Sequence, residues 1–163
     1  MKYGFTGDER RVDDRLVLRQ IVALRDFADV WKGEIGGWVE GEGNLSHDGD
    51  AWVSGAAQIS GAARISGDAR ISGDARVASN GDYIVFKNFW SSGRYFTWTR
   101  SDNMWAAGCF RGTGEELVAK AYKDSERSGR EYGRVVGYVE SILADRTADG
   151  GVSAPAGTGF TGR

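Results

Sequence analysis

Residues 51–80 read AWVSGAAQISGAARISGDARISGDARVASN, and the spacing inside this stretch decides the fold. Val53, Ile59, Ile65, Ile71 and Val77 recur every six residues; so do Ala51, Ala57, Ala63, Ala69 and Ala75, and so do Gly55, Gly61, Gly67 and Gly73. A period of six fits neither the 3.6-residue turn of an α-helix nor the two-residue alternation of a strand. It fits a triangular coil in which each hexad supplies one flat side and one corner. The branched aliphatic points inward, alanine fits where the coil is tight, and glycine or aspartate turns the backbone. Three hexads close a circuit of 18 residues, and the next circuit stacks on it through parallel ladder hydrogen bonds.

The 18-residue step can be run backwards as well. It sets Ile35 over Val53 and Ile71, Gly37 over Gly55 and Gly73, Gly43 over Gly61, Gly49 over Gly67, and Asp50 over Asp68. The repeat is therefore expected to begin near Gly33, with Gly41 and His47 at inward positions of a degenerate, distorted first circuit. These hexads resemble the hexapeptide-repeat family, whose members form left-handed parallel β-helices, many of them acyltransferase trimers. The resemblance, not the spacing, implies the left hand, and it covers about a third of the chain.

An open end of such a coil would expose apolar interior and unpaired edges, so a cap is required. Residues 1–32 are expected to supply it, with a strand or two in Leu16–Leu24 (LVLRQIVAL) and with Phe27, Val30 and Trp31 helping to cover the end. After Asn80 the hexads stop. Three aromatic, β-branched segments, Asp82–Trp90, Gly93–Arg100 and Asn103–Phe110, predict three short antiparallel strands with turns at Ser91-Ser92-Gly93 and Ser101-Asp102-Asn103. Thr113-Gly114-Glu115-Glu116 then has the form of a capping box, and Leu117, Val118, Ala121 and Tyr122 make a helical stripe. Tyr132, Val135, Val136, Val139, Ile142 and Leu143 make a second, with a break expected at Ser128-Gly129. The expected organisation is a cap over 1–32, a left-handed β-helix over 33–82, a β-β-β-α-α domain over 83–144 and a disordered tail over 145–163. The fold class is mainly β, with an α+β C-terminal part in which a small antiparallel sheet packs with two helices.

A second resemblance joins Leu24-Arg25-Asp26-Phe27, GGWVE at Gly36–Glu40, NLSHDGDAWV at Asn44–Val53, the hexads, DYIVF from Asp82 and GCFRGTGEEL from Gly108. Together they look like a family of uncharacterised phage and prophage proteins, across about residues 1–143. That likeness implies a mobile-element origin and roles in assembly or in countering host defence, and it brings no catalytic residues.

Bulk composition narrows the classes further. The chain has 163 residues, 40% of them apolar, and a formal net charge of -2, so nothing suggests a duplex nucleic-acid surface or an anionic membrane as partner. One cysteine, Cys109, leaves no intrachain disulfide and no Cys-rich zinc site. The opening residues do not read as a charged-then-apolar leader, no run of 18 apolar residues occurs, and the expected location is the cytoplasm of an infected or lysogenic host. Glycine at 25 residues against a single proline argues for tight repetitive turns.

Chemistry-bearing candidates are few. Hexapeptide-repeat acyltransferases use a histidine as general base, and His47 is the only histidine here. Among Asn44, Ser46, Asp48 and Asp50 it reads better as a structural side chain bonded to a loop carbonyl or an aspartate. Cys109 precedes a helix but has no histidine near it in sequence, and reads as a small buried hydrophobe. Gly108, Gly112 and Gly114 fit no phosphate-loop spacing. Asp48, Asp50, Asp68 and Asp74 sit at corner positions, so turn chemistry is favoured over calcium. Arg64, Arg70 and Arg76 are one hexad apart and therefore belong to three different faces.

The densest candidate surface is the aromatic and basic sheet segment: Lys87, Trp90, Arg94, Tyr95, Trp98, Arg100 and Trp105. Strand alternation puts Phe96, Trp98 and Arg100 on one side and Tyr95, Thr97 and Thr99 on the other. Trp and Tyr can stack a base and Arg can grip a phosphate; the competing use of these aromatics is core or oligomer interface. With no catalytic constellation, no cofactor motif and no metal set, the first reading is a phage-type, non-catalytic binding protein. It would be a homo-oligomer, with a trimer favoured, that captures a host defence protein or a small nucleotide signal. The alternatives are a structural or assembly protein using the β-helix as scaffold, and a hexapeptide-repeat acyltransferase with His47 as base.

Overall fold

A computed structural model describes residues 1–150 of the chain. It is mainly β with two helices, and it divides into two compact units, the first over Met1–Thr113 and the second from Gly114 onward.

The repeat folds as parallel rungs. β3 (Ile35–Val39), β5 (Gln58–Ile59) and β7 (Arg76–Val77) form one ladder, and β4 (Trp52–Val53) with β6 (Arg70–Ile71) forms a second. A bridge between Leu45 and Ile65 marks a third. Three columns of branched or leucine side chains stand inside them: Val39, Ile59 and Val77; Leu45 and Ile65; Val53 and Ile71, all at 1% exposure or less. The five alanines from Ala51 to Ala75 are buried beside them. The corner glycines take left-handed backbone, with φ from 61° to 72° at Gly49, Gly55, Gly61, Gly67 and Gly73.

The register departs from the expected step in the first circuit. Gln58 lies beside Arg76 and Trp52 beside Arg70, 18 residues on, but Trp38 lies beside Gln58 and Leu45 beside Ile65, 20 residues on. The inward residues of that circuit are therefore Val39 and Leu45, not Gly41 and His47, and Ile35 is 53% exposed instead of standing over Val53. Two additional residues sit between Ser46, whose N–H reaches Ile65 O, and Asp50, whose N–H reaches Gly67 O. They bulge out one side of the stack and carry His47 with them.

β1 (Tyr3–Arg11) and β2 (Val17–Ala23) extend the β3 ladder as antiparallel strands, with an irregularity between Phe5 and Glu9. Phe27 and Val30 are buried in the cap as expected, whereas Trp31 is 72% exposed. The open backbone at each end of the stack is met by side chains. At the first end Lys2 Nζ donates to Ala51 O at 2.7 Å and Gly49 O at 3.3 Å, and the Tyr3 hydroxyl donates to Leu45 O at 2.8 Å and Glu42 O at 3.1 Å. At the last end the N–H groups of Arg64, Arg70 and Arg76 find Asn80 Oδ1 at 2.8 Å, Thr97 Oγ1 at 3.0 Å and Ser101 Oγ at 2.7 Å. Each of these three acceptors closes a different side of the final rung, where another circuit would otherwise be needed.

The antiparallel sheet has four strands, not three, in the order β11 (Phe110–Gly112), β10 (Met104–Ala107), β9 (Tyr95–Thr99), β8 (Tyr83–Lys87). The fourth is three residues long and rich in glycine around it, too short to show as a period. In the second unit α1 (Gly114–Asp124) follows Thr113 directly and α2 (Glu126–Gly150) follows Ser125. The break between the helices is at Ser125, not at Ser128-Gly129, because the Ser125 hydroxyl accepts the Ser128 N–H at 3.0 Å as an N-cap. Gly129 is instead the place where the Tyr122 ring rests: a Cβ there would lie 2.2 Å from it. α2 runs on through the first residues expected as a tail; residues 151–163 of that expectation lie outside the described residues.

Candidate functional site

His47 sits on the bulge, held on three sides. Its Nδ1 accepts the Lys2 backbone N–H at 3.2 Å, its Nε2 lies 3.0 Å from Glu42 Oε1, and its ring stacks on Tyr3 with 4.1 Å between centroids at 11°. Because Nδ1 is an acceptor, the ring proton belongs on Nε2, where Glu42 takes it. A general base needs a lone pair facing the substrate; here it is spent on the Lys2 backbone N–H, just ahead of β1. Beside it Lys2 is fully buried, with Nζ 5.0 Å from the centre of the Phe27 ring. Burial, and to a lesser extent the Arg25 charge, push the Lys2 ammonium down to about 8, against the opposing pull of Asp50 and Asp48. Burial raises the Tyr3 hydroxyl to about 12.

On another side of the same unit lies a cleft of about 180 Å³. Asp50 and Asp68 line it from the same corner of successive rungs, whose backbones are joined by the bond from Asp50 N to Gly67 O at 3.0 Å. Arg70 enters from β6 and is ion-paired with Asp29, whose neighbour Ala28 takes a left-handed φ of 48° at the rim. Arg94 and Tyr95 come from the start of β9. Gly108 forms the facing wall: with φ of 60°, it leaves room for the Arg94 guanidinium, since a Cβ there would lie 2.6 Å from Nη1. Among the described residues Arg94 has no acidic group within ion-pair distance, and the Asp50 and Asp68 carboxylates accept no hydrogen bond.

Of the aromatic and basic set expected as a binding face, the structure brings Arg94 and Tyr95 to this cleft, with the Lys87 ammonium 5.9 Å from the Tyr95 ring centre. Trp98 and Trp105 are buried. Trp98 donates through Nε1 to Asn103 Oδ1 at 2.8 Å, and Trp105 packs with Phe86 and Phe96. Trp90 is half-buried against Phe89 and Phe96. Arg100 lies over Trp98 and donates to Gly81 O at 3.1 Å, with Asp82 at 3.7 Å. Arg64, Arg70 and Arg76 stand on three different ladders, as their spacing requires. Cys109 is exposed, not a buried hydrophobe, because it occupies the turn between β10 and β11. Among the described residues no group of three or more His, Cys, Asp and Glu side chains is placed to hold a metal ion, and no helix is long and apolar enough to cross a membrane.

No family model matches the chain. Over 50 residues, 31% of its length, it is 38% identical to a protein described as the uncharacterized acetyltransferase YdcK of Escherichia coli (strain K12). The aligned stretch spans 15% of that protein. The similarity is compatible with a hexapeptide-repeat relationship and is confined to this portion of both chains.

The residues that sequence reasoning missed are Ala28, Asp29 and Arg70 as parts of one site. The 18-residue step already sets Asp50 over Asp68; the loop that delivers Asp29 to Arg70 carries no period and leaves no such signal.

Proposed function

We propose that this chain is a non-catalytic binding protein built on a left-handed β-helix, with the cleft beside β6 and β9 as its capture site. The parallel ladders and the hexad resemblance support the helix, the resemblance alone supplying its hand. The observation that carries the binding reading is the contrast between the two polar sites. His47 has both ring nitrogens engaged by Lys2 and Glu42, whereas at the cleft Arg94 has no ion-pair partner and the Asp50 and Asp68 carboxylates accept no hydrogen bond among the described residues. Binding sites need unsatisfied, pre-placed polar groups, and here they are in the cleft.

The test is native mass spectrometry of the purified chain, followed by an acetyl-CoA turnover assay. A retained small molecule that is lost in Arg94→Ala, with no acetyl-CoA-dependent turnover in the wild type, is the expected outcome. The acyltransferase reading is favoured by the 38% identity to an acetyltransferase over 50 residues. It prevails if acetyl groups are transferred and His47→Ala stops the transfer. On the binding reading His47→Ala leaves ligand retention intact and lowers stability by about 1–2 kcal/mol, because the Lys2 N–H loses its acceptor.

A further inference from the structure

We infer that the cleft is a site for a small zwitterion of amino-acid size, its cationic group held by the carboxylates of Asp50 and Asp68 and its anionic group by the Arg94 guanidinium. This rests on the binding reading above and adds the chemical class of the ligand.

Charge arrangement is the first reason. Arg70 and Asp29 neutralise one another in an ion pair. What remains is a negative pole, two carboxylates one rung apart, and a separate positive pole at Arg94. The buried Lys2 ammonium feels the Asp50 charge but gives its hydrogen bonds to the Gly49 and Ala51 carbonyls, so it is hydrogen-bonded to neither cleft carboxylate. Two acidic side chains lining one cleft favour a cationic group over an anionic one. A phosphate monoester would bring its double negative charge against them; a diamine would bring a second positive charge against Arg94. Only a ligand with both signs at its two ends meets both poles favourably.

Size is the second reason. At about 180 Å³ the cleft is smaller than the ~300–1,000 Å³ pockets that take drug-sized ligands and cofactors. A nucleotide or a CoA moiety would leave most of its surface outside, whereas a single amino acid fills it. Gly108 enforces this limit on the Arg94 side. Its missing Cβ is what lets the guanidinium approach this wall so closely.

The experiment is isothermal titration of the full chain with the proteinogenic amino acids one at a time. Putrescine serves as a cation-only probe, succinate as an anion-only probe, and AMP as a nucleotide probe. We expect at least one amino acid to bind, putrescine, succinate and AMP to give no heat, and both Asp68→Asn and Arg94→Ala to weaken binding about tenfold or more. Arg76→Ala, on a different ladder, leaves binding unchanged. Unchanged melting temperature in the Asp68 variant separates a lost contact from a lost fold. Failure of every amino acid at millimolar concentration overturns the inference, and so does full binding by Asp68→Asn. If AMP binds instead and Arg94→Ala abolishes that binding, or putrescine binds instead and Asp68→Asn abolishes it, the zwitterion is excluded while the capture reading stands.

Discussion

Lys2 and Tyr3 act in opposite directions on stability as pH rises. Lys2 is lowered from 10.5 to about 8 by burial, so the folded chain gives up this proton before the unfolded chain does. Between pH 8 and 10.5 the unfolded state binds more protons, and stability rises with pH across that window. Tyr3 is raised from 10.0 to about 12, so between pH 10 and 12 the folded state keeps a proton that the unfolded state has lost, and stability falls. Denaturant melts of wild type against Lys2→Met should therefore diverge by about 2 kcal/mol between pH 8 and 10, with the rise absent from the variant. This is less than the full shift, because the two carbonyl bonds to the ammonium favour its charged form. Tyr3→Phe should remove the later decline. Neither residue stands out in the sequence, since a lysine in second position reads as surface. Its burial follows from the stack needing donors for the carbonyls of Gly49 and Ala51.

For the rungs and strands, the hexads from Ala57 onward were legible because every side is six residues and every inward position is a branched aliphatic. The first circuit was not. Ile35 satisfies the 18-residue pattern by residue type, while the real inward residues, Val39 and Leu45, are displaced by the two residues inserted between Ser46 and Asp50. Periodicity sees composition at fixed intervals and is blind to an insertion that the backbone absorbs as a bulge. The register makes a direct prediction. Ile65→Ala, which empties a fully buried position, should cost about 2–5 kcal/mol in chemical denaturation. Ile35→Ala, at a half-exposed one, should cost well under 1 kcal/mol. Equal losses would restore the uninterrupted 18-residue step. β1 escaped notice for a different reason: most of its residues are polar or glycine, so beyond Tyr3 and Phe5, which reach the core, it shows no apolar alternation and is held by pairing with β2. The cleft was half legible in the same way, through Asp50 and Asp68, with the Asp29 loop beyond reach of any local pattern.

Across the first unit, the polar backbone at both ends of the stack is satisfied by side chains that come from outside the repeat. Those side chains contact only the terminal rungs: Lys2 and Tyr3 the first, Asn80, Thr97 and Ser101 the last. Apart from the cleft, where Asp29, Asp50, Asp68 and Arg94 meet across the stack, nothing between them depends on how many storeys the tower has. Duplicating residues 57–74 in tandem, one complete 18-residue lap, should return the chain to the same azimuth and yield a taller molecule of native-like stability, with both lids seated unchanged. A six-residue graft should instead leave the lower lid a third of a revolution out of phase and expose three backbone amides, a difference readable by amide exchange at Arg64, Arg70 and Arg76 and their displaced equivalents. On this prediction the height of the stack within the first unit becomes a quantity that evolution or an engineer can reset in whole laps.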